Sequence, residues 1–215
     1  TAKKEKLEKK ILSVVDTLHE LRAKVAKKFS ASICKNLDEL GMKNSRFEVA
    51  IDYPEEDEIL NNLNANGADV VEFMLSPNVG EPLKPLSKIA SGGEMSRFML
   101  ALKNIIAEVD MIGTLIFDEI DTGVSGGTGE KIGARLKLAA GGGRTQVICV
   151  THSALIAAKA DSHFRISKSV SGERTETHIE RLEGAARRSE LARLMGGTNI
   201  TDSVLAAVDE LLERG

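Results

Sequence analysis

The sequence predicts an α/β domain carried on an N-terminal helical stalk, and three observations lead there. Apolar residues near the start recur at helical spacing. Two short continuous apolar runs, TLIFD at 114–118 and QVICVT at 146–151, are separated by a helix-like stretch. The remaining segments alternate between strand-like and helix-like patterns over a chain of 215 residues, enough for one sizeable core.

The stalk comes first. Leu7, Ile11, Val14, Leu18, Leu21 and Val25 step by four and three alternately, the seam of a coiled coil. Phe29, Ile33 and Leu37 then step by four, followed by Leu40, the drift of a helix leaving a coiled coil to pack on a globular body. Gly41 is a plausible stop. A single amphipathic helix is the simpler alternative, and a partner helix would have to come from elsewhere. Residues 46–51 and 70–75 read as strands, with an Asn-rich loop between them and an irregular stretch from Pro77 to Pro85. A helix is expected after Ser91-Gly92-Gly93, running to about Val109. The runs at 114–118 and 146–151 look like parallel strands buried on both faces, joined by a helical crossover over 126–140. A short helix at 153–160, strands at 163–167 and 175–182, and helices at 186–195 and 202–213 complete the order.

Composition narrows the function classes. With no Trp and 3% aromatics, the core must come from Leu, Ile, Val and Ala. Cys34 and Cys149 lie far apart in apolar contexts, which predicts two buried thiols rather than a disulfide or zinc site. The absence of a leader-like segment or a long uncharged apolar run disfavours secretion and membrane spanning. The opening TAKKEKLEKK reads as mid-helix, so a fragment of a longer chain is expected. Residues 1–28 hold nine Lys/Arg against four Asp/Glu, whereas the remainder holds 20 against 28. A basic arm on an acidic body hints at a nucleic acid, although a solvated helix face is the blander reading.

Three motifs carry chemistry. Leu115-Ile116-Phe117-Asp118-Glu119 is an apolar strand ending in two acids, the Walker B pattern of ATPases. At such a strand end Asp118 could hold Mg²⁺, and Glu119 could polarise a water attacking a γ-phosphate. Ser91-Gly92-Gly93-Glu94 opens a helix, where free N–H groups and a small side chain suit an anion, but also an ordinary N-cap. His152 follows the strand ending in Thr151 and could contact a γ-phosphate, although a lone histidine is more often structural. Each is weak alone; their order is not. Gly126 to Lys131 (GGTGEK) superficially suggests a phosphate loop. However, Glu130 separates the glycine from the lysine and Ile132 stands where a hydroxyl is needed. Its glycines suit a tight turn after Asp121 instead.

Signature, Walker B, an aspartate in the next turn (Asp121) and a switch histidine follow one another as in ABC ATPases, and the chain resembles that family. With a coiled-coil-like helix upstream and no phosphate loop, it looks like the second half of an SMC-type head. Within that class the stretches 83–97, 114–123 and 191–201 are similar to the RecN family. The resemblance implies a fold: the C-terminal lobe of an ABC-type ATPase head, a mostly parallel sheet with flanking helices. Residues 1–40 would be the end of a stalk and 41–215 the lobe. It implies a cytoplasmic, nucleoid-associated protein in recombinational repair of DNA double-strand breaks, using ATP and Mg²⁺ together with its own N-terminal half. Two heads would sandwich ATP, and DNA would be a partner. On that reading Ser91, Gly92, Gly93 and Glu94 meet nucleotide held by a second head, and Asp118 serves Mg²⁺. Glu119 is the general base, His152 senses the γ-phosphate and Asp121 acts at the dimer interface. The rival readings are an ATP-independent architectural module and a truncated transporter nucleotide-binding domain. The long helix directly before the strands argues against the latter.

Overall fold

A computed structural model describes residues 2–107, 109–171 and 174–214. Thr1, at the head of the expected mid-helix opening, and Glu108, inside the helix expected to reach Val109, lie outside them. The chain forms two compact units, divided within one helix at Ala101/Leu102.

In the first unit, α1 (Ala2–Glu39) carries the predicted stalk pattern. Its stop is chemical. Gly41 adopts φ 83°, Met42 N–H donates to Leu37 O (2.9 Å) and Gly41 N–H to Asp38 O (3.3 Å), the two bonds of a Schellman cap. Buried Leu37 and Met42 supply its apolar contact. The helix packs on β1 (Arg46–Asp52), which pairs antiparallel with β2 (Val70–Ser76) from Arg46↔Ser76 to Asp52↔Val70. Period-two alternation turns Phe47 inward, and it meets Phe29 of α1, Phe73 of β2 and Phe98, with ring centroids 5.3–5.8 Å apart. A two-residue β3 (Lys84–Pro85), unmarked in the sequence, adds to β2. Phe98 belongs to α3 (Gly92–Ile106), which starts where the Ser-Gly-Gly predicted but ends before Val109.

The Asn-rich stretch between β1 and β2 is more ordered than a loop. It contains α2 (Ile59–Asn62) and an Asn64↔Gly67 bridge, and it lies along one face of α1. Ile59 and Ala68 bury Val15 there. Gly67, at φ 103°, sits so close to Leu18 that a Cβ would approach it to 2.9 Å.

In the second unit, β4 (Thr114–Phe117) and β5 (Gln146–Cys149) pair in parallel, from Thr114↔Gln146 to Phe117↔Cys149, with α4 (Gly126–Ala139) between them in sequence. The parallel pairing is thus present where the two apolar runs placed it, but the other pairings are antiparallel. For most of them the reason is connection length, with links too short for a crossover helix; the longer stretch between β1 and β2 instead spends its residues on α2 and the Asn64↔Gly67 bridge along α1. Burial on both faces is not met either. Leu115, Phe117, Val147 and Cys149 are at least half-buried, whereas Ile116 is 70% exposed beside exposed Ile148. After the short α5 (Ala154–Ala157), β6 (His163–Ser171) and β7 (Arg174–Leu182) form a hairpin longer than predicted. Phe164, Ile166, Val170 and Ile179 share one of its faces and are all exposed. Helices α6 (Gly184–Gly196) and α7 (Asp202–Glu213) close a core of Ala154, Ala157, Ala158, Leu191, Ala192 and Val208.

The glycines of the GGTGEK stretch have a packing role. Only Gly123 (φ 72°) makes the turn. Gly126 and Gly127 open α4, and Gly129 and Gly133 let α4 approach α5, since a Cβ would meet Ser153 Oγ at 3.3 Å and Lys159 Cγ at 3.0 Å respectively. Among the described residues, no helix is long and apolar enough to cross a membrane.

Candidate functional site at the ends of two parallel strands

The C-terminal ends of β4 and β5 bring Asp118, Glu119, Asp121, Thr151 and His152 onto adjacent strand ends, the edge where open α/β sheets place ligands. Val150 N–H donates to Phe117 O (2.9 Å), so the ladder continues until the acids begin. Asp118 and Glu119 are exposed; Ile120, directly after them, is fully buried. That switch from outward to inward rests on Glu119, whose φ of 56° is left-handed, a conformation an L side chain adopts at a cost.

Asp121, expected at a dimer interface, is turned the other way from its two acidic neighbours. Its carboxylate is buried, with 5% of the residue exposed, and faces inward. Oδ2 accepts from Thr151 Oγ1 (2.6 Å), His152 N–H (3.0 Å) and Ser153 N–H (3.1 Å), and lies 3.2 Å from His152 Nδ1. The imidazole itself is outside, with 80% of its side chain exposed. Thr151 is the residue that sequence reasoning passed over. A hydroxyl at the end of an apolar run, next to the histidine, was its only local signal. Cys34, expected to be buried, is half-buried, and so is Cys149. Burial first, then the charges of Asp121 and Asp118, push its thiol up to about 12.

Ser91-Gly92-Gly93-Glu94 belongs to the first unit. Ser91 Oγ accepts from Glu94 N–H at 3.4 Å, a long N-cap bond, and Met95 N–H donates to Ser91 O. Ser91 and Gly92 are exposed, Glu94 is half-buried and Gly93 is buried. Arg97, one turn on, is buried too; burial lowers its pKa and neighbouring Glu94 opposes the shift. The basic trio near the C-terminus is engaged within the fold. Arg187 donates to the carbonyls of Ala158 and Ala160, Arg188 makes a two-pronged pair with Asp209, and Arg193 another with Glu190.

Among the described residues, no group of three or more His, Cys, Asp or Glu is gathered to cage a metal ion. One or two exposed carboxylates suit Mg²⁺, which keeps waters and takes phosphate oxygens as its other ligands. Asp118 fits that donor set.

A helix opened by Ser-Gly-Gly-Glu, then an acid couple and a histidine on neighbouring parallel strand ends, follow one another in an order that resembles SMC-like, ABC-type ATPase heads. No family model matches the chain. Relatives do. It is 43% identical over 194 residues to the DNA repair protein RecN of Treponema pallidum, covering 90% of this chain and 34% of that protein. The RecN of Halalkalibacterium halodurans is 40% identical over 196 residues (91% and 34%), and that of Vibrio cholerae 38% over 201 (94% and 35%). The chain belongs to the RecN family, and it spans about a third of the length of these relatives. Among solved structures, it is similar to an Smc head domain with a coiled coil and joint derived from Pyrococcus yayanosii. That match has a TM-score of 0.48 at 18% identity, over 88% of this chain and 35% of that one. It is similar also to the SMC head domain from Thermotoga maritima, with a TM-score of 0.38 at 19% identity, over 82% and 52%.

Proposed function

We propose that the chain is the C-terminal lobe of an ATP-hydrolysing head that acts in recombinational repair of DNA double-strand breaks. Residues 1–40 are the end of its coiled-coil stalk and 41–215 the lobe. The observation that carries this reading is the β4/β5 pair, which sets Asp118-Glu119 beside Thr151-His152 on neighbouring strand ends. ATP, when bound with Mg²⁺, supplies the phosphoryl group to be transferred to water. Asp118 is the carboxylate for Mg²⁺. Glu119 accepts a proton from the attacking water, and His152 donates a hydrogen bond to the γ-phosphate. Ser91, Gly92, Gly93 and Glu94, at the start of α3, serve nucleotide held by a second copy. Asp121 belongs to the same site from beneath.

Exposed apolar strands support the view that another segment completes the head. Two-stranded parallel sheets are covered on both faces in stable domains, and a lone hairpin is marginal in water. Yet Ile116, Ile148 and Val150 on one sheet, and Phe164, Ile166, Val170 and Ile179 on the hairpin, face solvent. The stalk seam is open in the same way at Leu7, Val14, Leu21 and Val25. The protein's own N-terminal half, carrying the phosphate loop and a return helix, would cover these surfaces. DNA and a second head are the further partners.

Two experiments test the reading. In a head completed with a phosphate-loop segment, Glu119→Gln should retain ATP but slow turnover about 10²–10⁴-fold, the usual loss for a general base. Asp118→Ala should instead weaken Mg²⁺-dependent nucleotide binding. A Glu119→Gln head that turns over normally removes Glu119 from the role. The chain alone should neither hold ATP tightly nor hydrolyse it, because the grip on the β- and γ-phosphates comes from the loop. Robust Mg²⁺-dependent turnover by the chain alone would overturn the composite head.

A further inference from the structure

We propose that Asp121 acts within its own chain as a positioning residue, holding His152 in register with Asp118 and Glu119. The inference rests on the reading of His152 as the γ-phosphate contact and goes beyond it by assigning what sets that histidine.

One buried oxygen does the holding. Asp121 Oδ2 takes the Thr151 hydroxyl and the main-chain N–H groups of His152 and Ser153, at 2.6, 3.0 and 3.1 Å. Thr151 Oγ1 in turn accepts from Ser153 N–H (3.0 Å), so the hydroxyl relays between carboxylate and turn. Three consecutive residues that leave β5 are thereby fixed to a residue that leaves β4. Hydrogen bonds to a carboxylate are shorter and stronger than neutral ones, and here the accepting carboxylate is buried.

The other end of the link is equally constrained. Thr122 N–H closes on Glu119 O (3.0 Å) and Val124 N–H on Asp121 O (3.2 Å), with Ile120 fully buried between the two acids. The left-handed Glu119 backbone sends residues 118 and 119 outward and 120 and 121 inward. Glu119 and the His152 main chain are therefore tied through two residues of a tight turn and one carboxylate. The same oxygen lies 3.2 Å from His152 Nδ1, which leaves Nε2 as the outward nitrogen of an exposed ring. A histidine on an exposed turn has little else to orient it.

The test is a double-mutant cycle on ATP turnover in a completed head, with hydrogen exchange measured on the same proteins. Asp121→Asn should lower kcat about 100-fold, as loss of alignment does, with KM changed by less than about twofold. His152→Ala should give a similar fall, and adding Asp121→Asn to it should change kcat by less than about twofold, since residues acting as one unit are not additive. Thr151→Val should reproduce part of the loss and Thr151→Ser should restore it, a pair that carries the test if Asp121→Asn does not fold. Exchange of the His152 and Ser153 amides should accelerate in Asp121→Asn while the Gln146 amide, which donates to Gly113 O in the β4/β5 ladder, stays protected. A full additional loss on top of His152→Ala, or a defect confined to KM or to pairing of heads, overturns the proposal and leaves the site reading intact. Unchanged exchange at His152 and Ser153 overturns it as well. A His152→Ala head with normal turnover removes the γ-phosphate contact itself, and the proposal falls with it.

Discussion

Glu119 is the one candidate site residue whose backbone conformation opposes its side chain. At φ 56° an L residue pays roughly 1–2 kcal/mol in crowding between Cβ and the carbonyl, a penalty that glycine escapes. Its side chain is exposed, so nothing packed is lost on truncation. Glu119→Gly should therefore raise the free energy of urea unfolding by about 1 kcal/mol, net of glycine's greater freedom in the unfolded chain. Glu119→Ala, which keeps Cβ, should gain almost nothing. A Gly variant no more stable than the Ala variant would show that the turn carries no strain. The positions of Asp118, Glu119 and His152 were legible in the sequence because apolar runs mark where buried strands stop. The inward turn of Asp121 was not. Strand alternation says nothing about a positive φ at 119, and that single dihedral decides which of the three acids face solvent.

At the scale of elements, the segment between β1 and β2 is held to α1 by a polar cluster with no local signal. Asp69, with 1% of its side chain exposed, accepts from Arg22 Nη1 and bonds His19 Nδ1, both at 2.6 Å, across 47 and 50 residues of sequence. His19 stacks on Tyr53, whose hydroxyl donates to Asp16 (2.6 Å). Burial, with Asp16 and Asp69 alongside, pushes the Tyr53 phenol up to about 12. An Asn-rich run reads as a loop because its composition favours turns. What orders it is pairing with a helix far away, which composition does not record. Burial raises the Asp69 pKa, but the bonds and charges of Arg22 and His19 outweigh it and hold it below the ordinary aspartate value. A depressed folded pKa contributes stability that is present above the unfolded value and lost as pH falls through the folded one. Asp69→Asn should thus cost about 1–3 kcal/mol near neutral pH, with Arg22 and His19 left facing a neutral amide. The cost should shrink on moving from about pH 6 to about pH 3, where the wild-type carboxylate begins to be neutralised as well. Urea unfolding of both proteins across that range measures the difference. A gap that stays constant would mean the carboxylate's charge is not what joins segment to helix.

At the scale of the whole molecule, the missing phosphate loop was legible from spacing alone, and the exposed faces of β4, β5 and the hairpin agree with a head built from more than this chain. On the proposed reading, the helix start at Ser91 to Glu94 meets nucleotide held by another head. Two inactive proteins can test this. One lacks the phosphate-loop lysine; the other carries a carboxylate at the start of α3. Gly93 is buried, and a carboxylate there would damage the fold for reasons unrelated to nucleotide. Gly92, the first residue of α3, is exposed, so Gly92→Asp places like charge against an incoming γ-phosphate while leaving the core intact. Each protein alone should be nearly inactive. Mixed and allowed to exchange, they form dimers in which one composite site has both an intact loop and an intact helix start. Part of the wild-type ATPase rate should return if the helix start works in trans. If subunits exchange, as shown by a fluorescent label on each, and no activity returns, the helix start serves its own head or both sites must fire together. A Gly92→Asp protein with the wild-type rate would mean that this helix start does not meet nucleotide at all.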